Sequence, residues 1–292
     1  MKNPFKFAVI GGDMRQVKLS NLLVADGHPV TAFAIDQVRP EGATLAATLQ
    51  SATAGADCVL LPLPLTRERT KLNAPLSDTG LSIEQVFCAL EPGQIITGGR
   101  VEAATHQLAA EYGLSLIDYY AREELVVANA VATVEGAIQT AMQATPTTLA
   151  GSRVLIFGFG RIGKVLSHRL RGLGAFVTAV ARTYADLAWI AAYGYRGIHL
   201  DAIDGALGGQ DILFNTVPQL ILDAGRLAML DRDTLCIDLA SKPGGIDFPA
   251  AASLGVKTIW ALGLPGEVAP VSAAMIIRDT IYHILSEQGK DL

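Results

Sequence analysis

Short apolar runs of strand length recur along this chain, each bounded by Gly, Pro, Asn or Asp and followed by a stretch whose apolar residues return at helical spacing. That alternation is the pattern of parallel strands joined by helices that cover both faces of a sheet. In the first half the runs fall at Phe7 to Ile10, Val30 to Ile35, Cys58 to Leu61, Ile95 to Thr97 and Leu114 to Ile117. The pattern restarts at Val154 to Phe157 and continues through Phe176 to Ala181, Gly197 to Leu200, Ile212 to Asn215, Leu235 to Leu239 and Thr258 to Ala261. The expected architecture is therefore α/β, with two Rossmann-like, doubly wound parallel-sheet domains.

A helix over Thr133 to Ala144, opened by Thr133 with Glu135 in its first turn and stopped by Thr145 and Pro146, is expected to cross from one half to the other. Ser272 to Glu287, with Met275, Ile276, Ile281 and Ile284 as its apolar positions, predicts a terminal helix, and by analogy with two-domain dehydrogenases that helix is expected to return to the first domain. The expected domains are residues 1–132 together with helix 272–292, a substrate domain, and residues 133–271, a nucleotide-binding domain that includes linker helix 133–144.

The 292 residues are half apolar and 17% charged, enough apolar material for two cores and incompatible with general disorder. Lys and Arg total 23 against 28 Asp and Glu, a net charge of -5, so no positive field is expected to hold nucleic acid. The start of the chain has no apolar run ending in a small-residue cleavage site. The most apolar stretch, Leu125 to Leu149, carries Glu135, Gln139, Gln143 and Pro146, so it reads as a buried helix and not a membrane span. Cys58, Cys88 and Cys236 are widely spaced without a CxxC, which fits core packing in a reducing cytoplasm and offers no metal site.

The strongest chemical signal is Gly158-Phe159-Gly160-Arg161-Ile162-Gly163, which follows a strand directly and opens the helical stretch Lys164 to Gly172. Strand, glycine turn and helix together are the context that a dinucleotide fingerprint needs. Gly158 permits the tight turn, Gly160 lets backbone approach a pyrophosphate, and Gly163 lets the helix lie close on the strand. Arg161 and Ile162 open the helix, whose N-terminus favours an anion. At the end of the next strand, where an acid would bond the ribose 2′-hydroxyl of NAD, stand Arg182 and Thr183. A guanidinium welcomes a 2′-phosphate, so NADP is the expected cofactor, with NAD possible. The first half offers only Gly11-Gly12-Asp13-Met14-Arg15-Gln16, without a third glycine and with an acid where phosphate would sit, so that half is expected to shape a substrate site.

Ligands of doubly wound sheets lie beyond the carboxyl ends of strands. Three such turns are rich in Pro, Gly and small polar residues: Asn215-Thr216-Val217-Pro218, the run from Asp238 and Leu239 to Gly245, and Leu262-Gly263 through Pro270. Asn215 to Pro218, Leu239, Leu262 and Gly263 are candidates for positioning the nicotinamide end. Lys242 is the cation of these turns, suited to a substrate carboxylate or to proton transfer; Asp247 and Glu267 are the other candidates for the proton acceptor. Arg15 and Arg122 could clamp a dicarboxylate bidentately, and Ser272, expected to cap the terminal helix, adds an anion-favouring amide end. None of His28, His106, His168, His199 and His283 pairs with a carboxylate in a cleft-facing turn. The Arg, Glu, His succession of D-2-hydroxyacid dehydrogenases is missing, since Ser241-Lys242 follows the relevant strand and no His occurs from Asp201 to Tyr282.

Over essentially its full length the chain resembles the A-subunit family of the dipicolinate synthases of spore-forming bacteria. The resemblance lies in Ile10-Gly-Gly-Asp-Met-Arg-Gln16, Thr133-Val-Glu-Gly136, the Gly158 to Gly163 fingerprint, Asp238-Leu-Ala-Ser-Lys-Pro-Gly-Gly-Ile-Asp-Phe248 and Gly263-Leu-Pro-Gly-Glu-Val-Ala-Pro270. It implies NADP-dependent oxidation of dihydrodipicolinate to dipicolinate in the mother-cell cytoplasm during sporulation, with the flavoprotein-like B-subunit of dipicolinate synthase as partner. A homo-oligomer is also expected. Two other classes compete. A shikimate-dehydrogenase-like NADP enzyme shares the Arg-Thr and Asn-Thr-x-Pro turns, but Lys71 lacks that family's surrounding motif. A non-catalytic nucleotide sensor would keep the glycine turn but lack a closed substrate pocket, and the three cleft-mouth turns and the crossing helix argue against it.

Overall fold

A computed structural model describes residues 4–290 of the chain. Strands run in chain order β1 (Phe7–Ile10), β2 (Val30–Phe33), β3 (Thr44–Leu45), β4 (Cys58–Leu60), β5 (Thr66–Arg67), β6 (Lys71–Leu72), β7 (Ile95–Gly98) and β8 (Leu116–Asp118). They continue with β9 (Arg153–Phe157), β10 (Phe176–Ala181), β11 (Arg196–His199), β12 (Ile212–Asn215), β13 (Leu235–Asp238) and β14 (Lys257–Trp260). The helices are α1 (Met14–Ala25), α2 (Leu49–Thr53), α3 (Ile83–Cys88), α4 (Ala103–Glu111), α5 (Glu123–Ala144) and α6 (Arg161–Gly172), then α7 (Tyr184–Ala192), α8 (Ala224–Leu227), α9 (Phe248–Leu254), α10 (Leu264–Val268) and α11 (Pro270–Glu287).

Two compact units result, one of Met1–Asn129 with Pro265–Leu292 and one of Ala130–Leu264. The first is built on a sheet of order β3-β2-β1-β4-β7-β8 and the second on β11-β10-β9-β12-β13-β14. Every neighbouring pair in both six-stranded sheets is parallel. The order reverses between β1 and β4 in one sheet and between β9 and β12 in the other, and such a reversal opens a crevice at the carboxyl ends.

Side-chain alternation assigns each strand residue to a layer. In unit 1, Ala8 and Ile10 face a core with Val59, Ile83, Val86 and Phe87, while Phe7 and Val9 face one with Leu19, Leu23, Ile277, Ile281 and Ile284. The terminal helix α11 thus packs beside α1 on the first sheet through Ala274, Ile277, Ile281 and Ile284, whereas Met275, expected on its apolar face, is exposed. In unit 2, Val154 and Ile156 meet Val134, Ala137 and Ala141 of α5 and Leu166 and Leu170 of α6. Leu155 and Phe157 face Ile203, Leu207, Leu227 and Ala251 instead. Large side chains such as these each contribute about 1.5–3 kcal/mol on full burial.

Four local expectations are corrected. The linker helix begins at Glu123 and not Thr133, because Glu123 and Glu124 supply favourable first-turn charge and no breaker separates them from the later residues. Helix α11 begins at Pro270 behind Ala269, where proline's fixed φ suits the first position, so Ser272 is exposed in the first turn and caps nothing. β2 stops at Phe33 because Ala34 takes a left-handed backbone, φ 58. The short edge strand β3 and the β5–β6 hairpin go beyond the expected elements, since two-residue strands carry no alternation to read. By length and composition α5 could cross a membrane, but its apolar residues Val134, Ala137 and Ala141 are fully buried in the unit 2 core.

Candidate functional site

The glycine turn lies at the carboxyl end of β9, beside the switch to β12. Gly158 has φ 94, and a Cβ there would come within 2.4 Å of Thr216 Oγ1. Thr216 is fixed in that place because its hydroxyl and its amide both donate to the Phe157 carbonyl, at 2.8 and 3.0 Å. A Cβ on Gly163 would lie 2.1 Å from the Gly158 carbonyl oxygen, so only glycine lets α6 approach the turn this closely. Gly160 is different: a Cβ there meets nothing within 4 Å. It occupies the N-cap position of α6 without any side-chain cap. Crowding on both sides of the turn, open space at its apex and an uncapped helix end together fit a pyrophosphate received by backbone amides. The exposed Arg161 and the half-buried Ile162 belong to this first turn.

At the end of β10, Arg182 is exposed, and its carbonyl bonds His199 Nε2 at 2.9 Å. The Thr183 hydroxyl caps α7 and donates to Asp186 at 2.7 Å, bringing to this loop a carboxylate that sequence reasoning missed. Tyr184 is exposed and stacks on His199 with ring centroids 5.3 Å apart. Arg182, Tyr184 and His199 therefore stand together beyond the carboxyl ends of β10 and β11.

Asn215 is buried. Its amide donates to Asp238 Oδ1 at 2.7 Å and to the Val217 carbonyl, and its oxygen receives the Val217 amide. Asp238, 0% exposed, also accepts the amides of Ala240 at 2.9 Å and Gly245 at 2.7 Å. This cluster ties the turn after β12 to the turn after β13, so Asn215 positions Thr216 to Pro218 and its own side chain points away from solvent. Gly245 must be glycine, because a Cβ would lie 2.3 Å from Asn215 Nδ2. The cluster presents Lys242, which is exposed and makes no ion pair among the described residues; the Lys242–Pro243 peptide is cis. Leu239 is buried, whereas Val217 is half-buried and Pro218, Leu262 and Gly263 are exposed. Asp247 caps α9, accepting the Ala250 amide at 3.0 Å.

In unit 1, Asp13 caps α1 and binds the Arg15 guanidinium bidentately, at 2.7 Å to Nη2 and 2.9 Å to Nε. A carboxylate thus holds the helix end where a second phosphate would have been received. Arg15 is only 7% exposed and also donates to the Leu63 carbonyl. Burial works against its charge, and the interactions with Asp13 outweigh that, holding its pKa above the usual value. Gly266 packs on this pair, since a Cβ there would meet Arg15 Nε at 3.2 Å, and the neighbouring Glu267 is exposed. Arg122 lies elsewhere in the unit: it donates at 2.7 Å to both oxygens of Glu287 and to Glu124, an ion-pair triad tying the start of α5 to α11. No sequence signal points to Gln16 Oε1 and Asn73 Oδ1, buried oxygens beside the Gly11-Gly12 turn that have no protein partner. Such acceptors call for water or a ligand.

The parallel sheet, glycine turn and uncapped helix of unit 2 define a protein of the nicotinamide-dinucleotide-binding class. In agreement, residues 103–241 match the NAD-binding domain of the D-isomer specific 2-hydroxyacid dehydrogenases. Residues 6–120 match the N-terminal domain of the dipicolinate synthase A-subunit. The dipicolinate synthase A-subunit of Bacillus subtilis is 32% identical over 290 residues, covering 98% of each chain. The chain belongs to the dipicolinate synthase A-subunit family. The crystal structure of the Bacillus subtilis protein superposes with a TM-score of 0.87 over 100% of this chain and 99% of its own, at 30% identity. That of Bacillus halodurans superposes at 0.86 over 97% and 99%, also at 30% identity. A transhydrogenase from Sinorhizobium meliloti, at 16% identity, TM-score 0.72 and coverage of 97% and 93%, shares the fold.

Proposed function

We propose that this protein oxidises dihydrodipicolinate to dipicolinate with NADP, in the cytoplasm of a sporulating mother cell, working with the flavoprotein-like B-subunit of dipicolinate synthase. The observation that carries the reading is the pairing of family membership with an α6 N-terminus that is open at Gly160, which itself supplies no side-chain cap. When bound, the nicotinamide ring would accept the hydride that leaves the substrate ring as it becomes aromatic. The protein's own part is to hold and orient: amides of residues 160 to 162 receive the pyrophosphate, and Arg182 the 2′-phosphate. Backbone of Thr216 to Pro218, Leu239, Leu262 and Gly263 sets the ring position.

The substrate is a dianion, and Lys242, Arg15, Arg122 and the exposed amide end at Ser272 are the groups of suitable charge. Lys242 leads them, because its ammonium makes no ion pair among the described residues whereas Arg15 and Arg122 already hold carboxylates. The proton lost with the hydride goes to water or to Lys242, Asp247 or Glu267. Asp247 already serves as a helix cap, which favours Glu267 and Lys242. The name of the relatives implies a B-subunit as partner for this chain, and we take a homo-oligomer as the working assembly.

The test is NADPH formation from freshly generated dihydrodipicolinate, with and without the B-subunit and with NAD run alongside. Turnover with NADP is expected, and Lys242→Ala should raise the apparent substrate constant while leaving NADP affinity unchanged. Tight NADP binding without turnover, even with the B-subunit present, would make the protein a nucleotide sensor instead.

A further inference from the structure

The amino ends of β9, β10 and β11 lie side by side at the opposite end of the second sheet from the glycine turn, and they open with Arg153, Phe176 and Arg196. Arg153 pairs with Phe176 on one side of β10, and Arg196 pairs with Thr178 on the other. With strands about 4.8 Å apart and a rise of about 3.3 Å per residue, the two arginine backbones are separated by roughly 12 Å, with β10 between them. A hollow of about 730 Å³ opens here, lined by Arg153, Arg171, Phe176, Tyr195, Arg196 and Gln210 among others, and no carboxylate is among its lining residues. In a chain of net charge -5, three guanidiniums around one acid-free hollow concentrate positive charge against the overall balance.

The side chains of Arg153 and Arg196 make no ion pair among the described residues. The nearest acid in the contacts of Arg153 is Asp211, whose carboxylate accepts the Arg153 backbone amide at 2.6 Å. Gly209 comes close to the Arg153 guanidinium, since a Cβ on it would lie 3.3 Å from Nη1. Arg171 is held differently, donating to the Tyr193 carbonyl at 2.8 Å and lying 5.4 Å from the centre of the Tyr195 ring. The hollow thus has one guanidinium fixed in place and two that no carboxylate neutralises. Phe176 is 68% exposed beside these guanidiniums. Arginine forks match carboxylate geometry, and an exposed ring offers a stacking surface.

We infer that this hollow is a second ligand site, distinct from the dinucleotide turn, for a small planar aromatic dicarboxylate. Arg153 and Arg196 grip the carboxylates and Phe176 carries the ring. The product of the reaction proposed above is a molecule of this kind, and that one link rests on the functional reading; the site itself does not.

The experiment is calorimetric titration of the full-length protein with benzene-1,3-dicarboxylate, pyridine-2,6-dicarboxylate and inorganic pyrophosphate. Wild type is compared with Arg153→Gln/Arg196→Gln, Phe176→Ala and Lys242→Gln. Both dicarboxylates are expected to saturate a site, separate from any binding at the Lys242 turn, that the double arginine variant weakens at least tenfold, that Phe176→Ala weakens severalfold, and that Lys242→Gln leaves in place. NADP affinity should be the same in all four proteins, which also shows that the variants are folded. Equal dicarboxylate binding by wild type and the double arginine variant would overturn the proposal. So would a site that takes pyrophosphate but neither dicarboxylate, because charge alone would then explain the hollow. Loss of turnover with this binding retained would count only against the functional reading.

Discussion

Two single-methyl substitutions separate a glycine that the packing requires from one proposed to meet the pyrophosphate. In Gly163→Ala the new methyl would lie 2.1 Å from the Gly158 carbonyl oxygen and 2.9 Å from its carbon, both backbone atoms that cannot rotate away. The helix must retreat from the turn by roughly an ångström in a close-packed interior. Overpacking of this kind costs about 1–3 kcal/mol, a sizeable part of a typical stability of about 5–15 kcal/mol. It also drags the first-turn amides from their places, and hydrogen bonds to a charged group are each worth about 1.5–3 kcal/mol.

In Gly160→Ala the methyl meets no protein atom within 4 Å, and the φ of -77 is open to alanine. Loss of a glycine N-cap for alanine costs under about 1 kcal/mol. The methyl nevertheless fills the space through which backbone would approach a pyrophosphate. Guanidinium-chloride unfolding followed by tryptophan fluorescence, paired with dinucleotide titration, reads both effects. Gly163→Ala should lose both stability and affinity, and Gly160→Ala should keep its midpoint nearly unchanged while binding at least tenfold more weakly. Undiminished affinity in Gly160→Ala, or undiminished stability in Gly163→Ala, would refute this reasoning.

Other consequences are as direct. Asn215→Ala strips one donor from the fully buried Asp238 carboxylate and frees the Val217 turn; a loss of about 2–4 kcal/mol is expected in denaturant unfolding, against no change if the cluster is inessential. The Arg122 guanidinium, through its bonds, holds the Glu287 carboxyl below the usual carboxylate range, so its contribution is present above the unfolded value of about 4.3 and fades as pH falls through the lower folded value. Wild type should therefore exceed Glu287→Gln in stability at neutral pH and converge with it in acid; a gap independent of pH would contradict the pairing. Burial pushes the Cys236 thiol up to about 12 and Cys58 higher still, while Cys88 is exposed. A native-state thiol assay should then find one fast cysteine, and Cys88→Ser should abolish it.

The regular part of this fold is legible in the sequence because its signal is local. Continuous apolar runs such as Val154 to Phe157 and Ile212 to Phe214 can be buried on both faces only within a parallel sheet. The glycine fingerprint is legible for the same reason, since strand, turn and helix are contiguous. What escapes depends on residues distant in sequence. That Asn215 is locked to Asp238 follows from the adjacency of β12 and β13, and that Arg122 is spent on Glu287 follows from the return of α11. Likewise, the grouping of Arg153 with Arg196 arises only from strand order, and nothing in the spacing of either residue announces it. Asp186, in the first turn of α7, escapes because the helix start brings its carboxylate back onto Thr183.

The proposed activity requires a dinucleotide's pyrophosphate to rest on the amides at the start of α6. A crystal structure of the protein with saturating oxidised NADP measures this directly. The pyrophosphate is expected within hydrogen-bonding distance of the amides of residues 160 to 162, with Arg182 at the ribose phosphate. A dinucleotide bound anywhere else, or a turn at Gly160 left empty at saturation, would contradict it.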